Sequence, residues 1–171
     1  MSSMLIVGYG NVSRRDDGVA LHVMRRLCER LGLPTGDLDG DADDLQANLA
    51  MIFTHQLGPE LAETLSRYDL VVFVDAHVAG TDWQPVHWQE IGPAYRPSMV
   101  SHHLKPEVLL ALSQTLFGYA PRAYVLSILG HDFAFGEELS AETAALVEEA
   151  VSRLVHLISS EGVIYQPTRD G

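Results

Sequence analysis

The chain alternates short apolar runs with stretches in which apolar residues recur every three or four positions. Leu5-Ile6-Val7 leads into Gly8-Tyr9-Gly10-Asn11, an apolar strand that ends in a glycine turn. After Asp16-Asp17-Gly18, the positions Val19, Val23, Leu27 and Leu31 predict an amphipathic helix, which Gly32 and Pro34 end. Leu49 to Phe53 reads as a second strand and Pro59 to Ser66 as a short helix. Asp69-Leu-Val-Val-Phe-Val-Asp75 is the clearest buried strand. Pro85 to Glu90 alternates as an antiparallel or edge strand would. Lys105 to Leu116 is helical, with Val108, Leu109, Leu112 and Leu116 on one face. Arg122 to Leu129 is a further strand, and Ser140 to Ser159 a long closing helix. Ser140 and Thr143 lack the acid of a capping box, although Glu142 suits the helix start. Strands alternating with helices predict an α/β fold whose five-stranded sheet is mostly parallel and covered on both faces, with one antiparallel strand possible.

Length and composition narrow the class. The 171 residues suit a single domain spanning the chain, large enough for a core without staples. No apolar run approaches the roughly 20 residues of a membrane span, and no basic segment leads into an apolar one as in a secretory signal. Cys28 is the only cysteine, so a disulfide fold is excluded and a reducing cytoplasm is the expected compartment. The net charge of −12, without a basic face, disfavours nucleic acid. With no separate association segment visible, a monomer is expected.

In sheets of this kind, sites form beyond the carboxyl ends of strands. Gly8-Tyr9-Gly10-Asn11 lies where a dinucleotide fingerprint would, but Ser13 replaces its third glycine, and Asp16 and Asp17 would repel a pyrophosphate. The glycines better suit a tight turn under a site. Asp16-Asp17 reads either as helix-start residues alone or as one cap with one ligand aimed into the crevice. Asp75, closing the most apolar strand, requires a cation or donors if buried. Ser101-His102-His103 opens the third predicted helix, and adjacent side chains diverge, so one imidazole of the two is expected to face the crevice. Two carboxylates and an imidazole form a donor set suited to a divalent transition metal with open positions.

His55 and His77, which follow strands, are further candidates for the crevice, while His22, His87, His131 and His156 read as structural. Asp37-x-Asp39-x-Asp41 imitates a calcium loop but has Ala42 and Asn48 where glycine and glutamate are needed, so it reads as a solvated turn. No Gly-x-Ser-x-Gly elbow exists, and Cys28 lies mid-helix, so a serine or cysteine nucleophile has no support.

In order along the chain, Gly8-Tyr-Gly-Asn11, Asp16-Asp17-Gly18, Val74-Asp75-Ala76 and Ser101-x-His103 resemble the motifs of the nickel-dependent hydrogenase maturation proteases. Thr54-His-Gln-Leu-x-Pro-Glu-Leu-Ala62 and Gly130-x5-Gly136-x2-Leu139-Ser140 extend the resemblance over nearly the whole chain. It implies a three-layer α/β/α sandwich and an endopeptidase that removes the C-terminal extension of a [NiFe]-hydrogenase large-subunit precursor after nickel insertion. The metal-contacting and catalytic trio it implies is Asp17, Asp75 and His103. The nickel would arrive with the substrate, with no nucleotide or organic cofactor. The sequence departs at Thr54-His55, where some members carry Asp-Gly. Three rivals share parts of this pattern: a nickel checkpoint or chaperone that docks the precursor without cutting it, a free-standing metallo-hydrolase, and a nucleotide-binding domain.

Overall fold

The computed structural model describes residues 2–34, 48–95 and 104–165. The acidic turn at Asp37, Asp39 and Asp41 and the pair His102-His103 lie outside the described residues. Five strands, β1 (Met4–Tyr9), β2 (Leu49–Thr54), β3 (Leu70–His77), β4 (Val86–Ile91) and β5 (Arg122–Leu129), form one sheet in the order β2-β1-β3-β5-β4. All neighbours are parallel except β4, which runs antiparallel to β5 at the edge.

The apolar runs are buried on both faces because helices cover both. Met4, Ile6, Leu70, Val72 and Val74 point to a layer made by α1 (Val19–Leu31) and α5 (Val147–Ser160). The alternate residues Leu5, Val7, Val71 and Phe73 point to α2 (Leu61–Leu65) and α3 (Pro106–Phe117). Period-two alternation with apolar residues at both phases is what a central parallel strand requires. Gly8 in β1 lets α1 lie close, since a Cβ there would fall 2.2 Å from Met24 Sδ. The three-layer α/β/α sandwich and its single antiparallel strand are as the sequence predicts.

Details of the elements differ. The third strand continues two residues past Asp75, because Asp75, Ala76 and His77 keep pairing with Ser127, Ile128 and Leu129 after the apolar run has ended. On α3 the buried positions are Pro106, Leu109, Leu110, Ala111 and Ser113, and Leu116 is 64% exposed. A row spaced by four drifts around a helix of 3.6 residues per turn, so by Leu116 it has rotated into solvent. The closing helix is two pieces, α4 (Ala141–Ala144) and α5. Its first turn is tied through Ser140 and Thr143 to Asp16, just ahead of α1.

Candidate functional site

The β1 strand ends in a turn that the glycines make possible. Gly10 has φ +146°, and a Cβ there would sit 2.0 Å from the Asp17 carbonyl oxygen. That close approach lets the Asn11 backbone N–H donate to Asp17 Oδ2 at 2.8 Å, while Asn11 Oδ1 accepts from Ser13 N–H at 2.9 Å. The glycine turn therefore fixes the Asp17 carboxylate, as expected of a tight turn under a site.

Asp75 lies one strand over. β1 pairs with β3 only as far as Gly8 opposite Val74, so Asp75 is the first residue of β3 beyond its β1 partner. The Tyr9 hydroxyl donates to Asp75 Oδ2 at 2.7 Å. Oδ1 is buried with no hydrogen-bond partner among the described residues. Burial raises the Asp75 carboxyl to about 6, opposed by the influence of the Ser127 hydroxyl and by the hydrogen bond from Tyr9, and reinforced by the charges of Asp17 and Glu107. Tyr9 is itself pushed far above the usual phenol range by burial and by Asp75, so it stays a donor. Asp17 and Asp75 thus share one electrostatic environment at the carboxyl edge of the sheet. A buried acceptor left unpaired is unfavourable by about 1–3 kcal/mol, which a cation or a water would offset.

Asp16 is the other half of the acidic pair, and it is not a helix cap. It occupies a single turn of 3-10 helix, Arg15–Gly18, that precedes α1, and neither helix start has a side-chain cap. Its fully buried carboxylate accepts from the backbone N–H groups of His131, Asp132 and Ser140 and from the hydroxyls of Ser140 and Thr143. Burial alone would raise this carboxyl; the five donors outweigh it and hold the group well below the usual carboxylate range. Leu129 O lies 2.9 Å from the same Thr143 hydroxyl, an alternative acceptor for its one proton, and Ser140 caps α4 by accepting from Thr143 N–H. Asp16 therefore staples the segment after β5 beneath the turn that presents Asp17.

Beside Asp17 opens a cleft of about 410 Å3, and among its described lining residues Asp17 is present while Asp75 is not. Tyr9, Gly10, Asn11 and Asp17 line one part, His55 and Gln56 another, and Arg14, Leu57, Leu104 and Phe133 complete it. His55 is in this crevice. His77 instead packs into β3, with Nδ1 2.9 Å from Ser127 Oγ and its ring edge-on to Trp83. The placement of His103 lies outside the described residues, although Leu104 brings the chain to the cleft directly after it. Among the described residues, no three His, Cys, Asp or Glu side chains gather as a metal site. Sequence reasoning assigns Tyr9 no role of its own although it stands inside the Gly8-Tyr9-Gly10-Asn11 motif, and it misses Arg14 and Phe133 as cleft residues because no motif marks them.

No protein-family model and no curated protein sequence matches the chain. Solved structures do. The [NiFe] hydrogenase maturation protease HycI from Thermococcus kodakarensis KOD1 superposes with a TM-score of 0.60 at 23% identity, covering 93% of this chain and 91% of that one. The chain has the fold of the hydrogenase maturation proteases. The hydrogenase maturating endopeptidase HybD from E. coli gives a TM-score of 0.60 at 17% identity, over 94% of both chains. An endopeptidase from Escherichia coli gives 0.66 at 14% identity, over 99% of both. The maturation-protease fold therefore accounts for this chain almost end to end. No helix among the described residues is long and apolar enough to cross a membrane.

Proposed function

We propose that this protein is the endopeptidase that trims the C-terminal extension from a nickel-loaded [NiFe]-hydrogenase large-subunit precursor. The observation that carries the proposal is that Asp17, held by the glycine turn, acts by its charge on Asp75, whose Oδ1 is buried and unpaired among the described residues. Oxygen donors of this kind suit a divalent ion that already has other ligands, here the nickel that the precursor brings. Asp17 and Asp75, with His103 as the nitrogen donor, grip that ion and so set one peptide bond of the precursor against the cleft. Nickel belongs to the substrate in this reading; it polarises the carbonyl or activates water, or reports that loading is complete. Tyr9 orients Asp75 from behind and stays protonated, and the backbone of Asn11 orients Asp17. The names of the structural neighbours and the order of motifs along the chain support the same activity.

The test is incubation of purified nickel-loaded precursor with the protein, followed by intact-mass measurement of the precursor. Loss of a C-terminal segment is expected with the wild type, and none with Asp17→Asn, Asp75→Asn or His103→Ala, each folded by circular dichroism. A stable complex without mass loss would replace the proposal with a docking checkpoint. Cleavage of short nickel-free peptides would replace it with a free-standing metallo-hydrolase.

A further inference from the structure

Arg14 and Arg15 are neighbours with different surroundings. Arg15 donates from Nε to Glu138 O at 3.0 Å and pairs its guanidinium with Asp132, so it is a strut between two loops. Arg14 is exposed, lines the cleft that holds Asp17, and has no carboxylate or other hydrogen-bond acceptor for its guanidinium among the described residues. What it has is a ring: its guanidinium carbon lies 4.2 Å from the centroid of Phe135. Phe135 is 79% exposed, a large apolar side chain kept in water. The chain carries 23 acidic residues against 11 basic ones, so a shortage of carboxylates does not explain an unpaired arginine.

The pair is also held in place. Arg15 N–H donates to Gly136 O at 2.8 Å, and Gly136 N–H donates to Ser13 O at 2.9 Å. These bonds flank Arg14 in the chain, and both end on Gly136, the residue directly after Phe135. Asp16 pins both segments from below. A guanidinium whose face rests on an aromatic ring keeps its N–H edges free, and those edges match a carboxylate in a bidentate geometry.

We propose that Arg14, braced on Phe135, is a carboxylate receptor that selects an acidic side chain on the precursor segment entering the cleft. The inference rests on the proposed endopeptidase activity for the identity of the ligand, and it names what that substrate must carry. Leu57, Leu104 and Phe133 line the same cleft, so the acidic residue is expected beside an apolar one. Arg14 contributes recognition, and its loss acts on substrate binding rather than on the bond-breaking step.

Two measurements test this, one of them independent of cleavage. In the first, the Arg14 side-chain Nε–Hε resonance is followed by NMR while N-acetyl-glutamate amide or its uncharged counterpart N-acetyl-glutamine amide is added. A saturable shift with the acid alone, lost in Phe135→Ala, is expected; an equal response to both compounds, or none to either, overturns the receptor. In the second, nickel-loaded precursor is processed by wild type, Arg14→Lys and Arg14→Gln. Arg14→Gln is expected to raise KM about tenfold with kcat unchanged, and Arg14→Lys to fall between. Pairing Arg14→Glu with lysine at one precursor acid should restore processing. Unchanged KM in Arg14→Gln overturns the inference while leaving the endopeptidase standing. A wild type that cleaves nothing removes the endopeptidase reading, and the NMR titration still decides the receptor.

Discussion

Replacing Asp16 by asparagine changes one oxygen to an amide and should nonetheless be among the most damaging single substitutions in the protein. In the wild type, Oδ2 accepts from His131 N–H, Asp132 N–H, Ser140 Oγ and Thr143 Oγ1, and Oδ1 accepts from Ser140 N–H. Asparagine can place its oxygen at the four-donor position, but its NH2 then faces the Ser140 N–H, donor against donor. The remaining bonds also lose the assistance of the negative charge. One buried donor left unsatisfied costs about 1–3 kcal/mol, and the weakened bonds add to it, so a loss of about 3 kcal/mol is expected. For a domain of this size that corresponds to a fall in Tm of roughly 6–12 °C. The folded carboxyl titrates below its unfolded value of about 3.9, so its stabilisation is present above that pH and is lost as the pH falls through the folded value. Urea unfolding of both proteins at pH 7, 4 and 3 reads this directly. The stability gap should be full at pH 7 and should narrow at pH 4 and again at pH 3. A gap under about 0.5 kcal/mol at pH 7, within the scatter of ordinary surface substitutions, or one that does not narrow with acid, would refute the reasoning.

Three further outcomes follow from the site. Gly10→Ala should cost more than about 2 kcal/mol, because its Cβ overlaps the Asp17 carbonyl at a positive φ; thermal unfolding together with loss of processing would register it. Asp75→Asn should be more stable than wild type at pH 8. The folded carboxyl is raised to about 6, so its protonated form carries a stabilisation that is present at low pH and lost as pH rises through 6. The advantage of the variant should therefore shrink in thermal melts at pH 5. Tyr9→Phe removes a donor that favours the Asp75 carboxylate, so the acid limb of the pH–rate profile for precursor processing should move upward.

Much of this was legible in the order of residues. The apolar strands, the helix from Val19 to Leu31 with its Gly32 stop, and the strand from Arg122 to Leu129 are set by local periodicity and turn chemistry, and they stand where the pattern puts them. Asp17 and Asp75 could be singled out because each follows a strand or turn whose end is readable. The role of Asp16 could not, because its partners lie 115 to 127 residues away, and three backbone N–H groups and two hydroxyls at that distance leave no mark on a sequence. The same holds for Arg14, whose significance depends on a ring brought across from another loop. The exposed Leu116 shows a different limit: an apolar spacing of four is compatible with more than one rotation of the helix, and only packing against the sheet chooses among them.

In the proposed reaction, two carboxylates at one edge of the sheet grip a nickel ion carried by another protein. Nickel-edge X-ray absorption on the loaded precursor, frozen alone and frozen just after mixing with this protein, addresses it most directly. Expected are additional oxygen or nitrogen neighbours around nickel in the mixture, present with the wild type and missing when Asp17→Asn or Asp75→Asn is used. A nickel environment that stays the same on mixing with the wild type would contradict the claim.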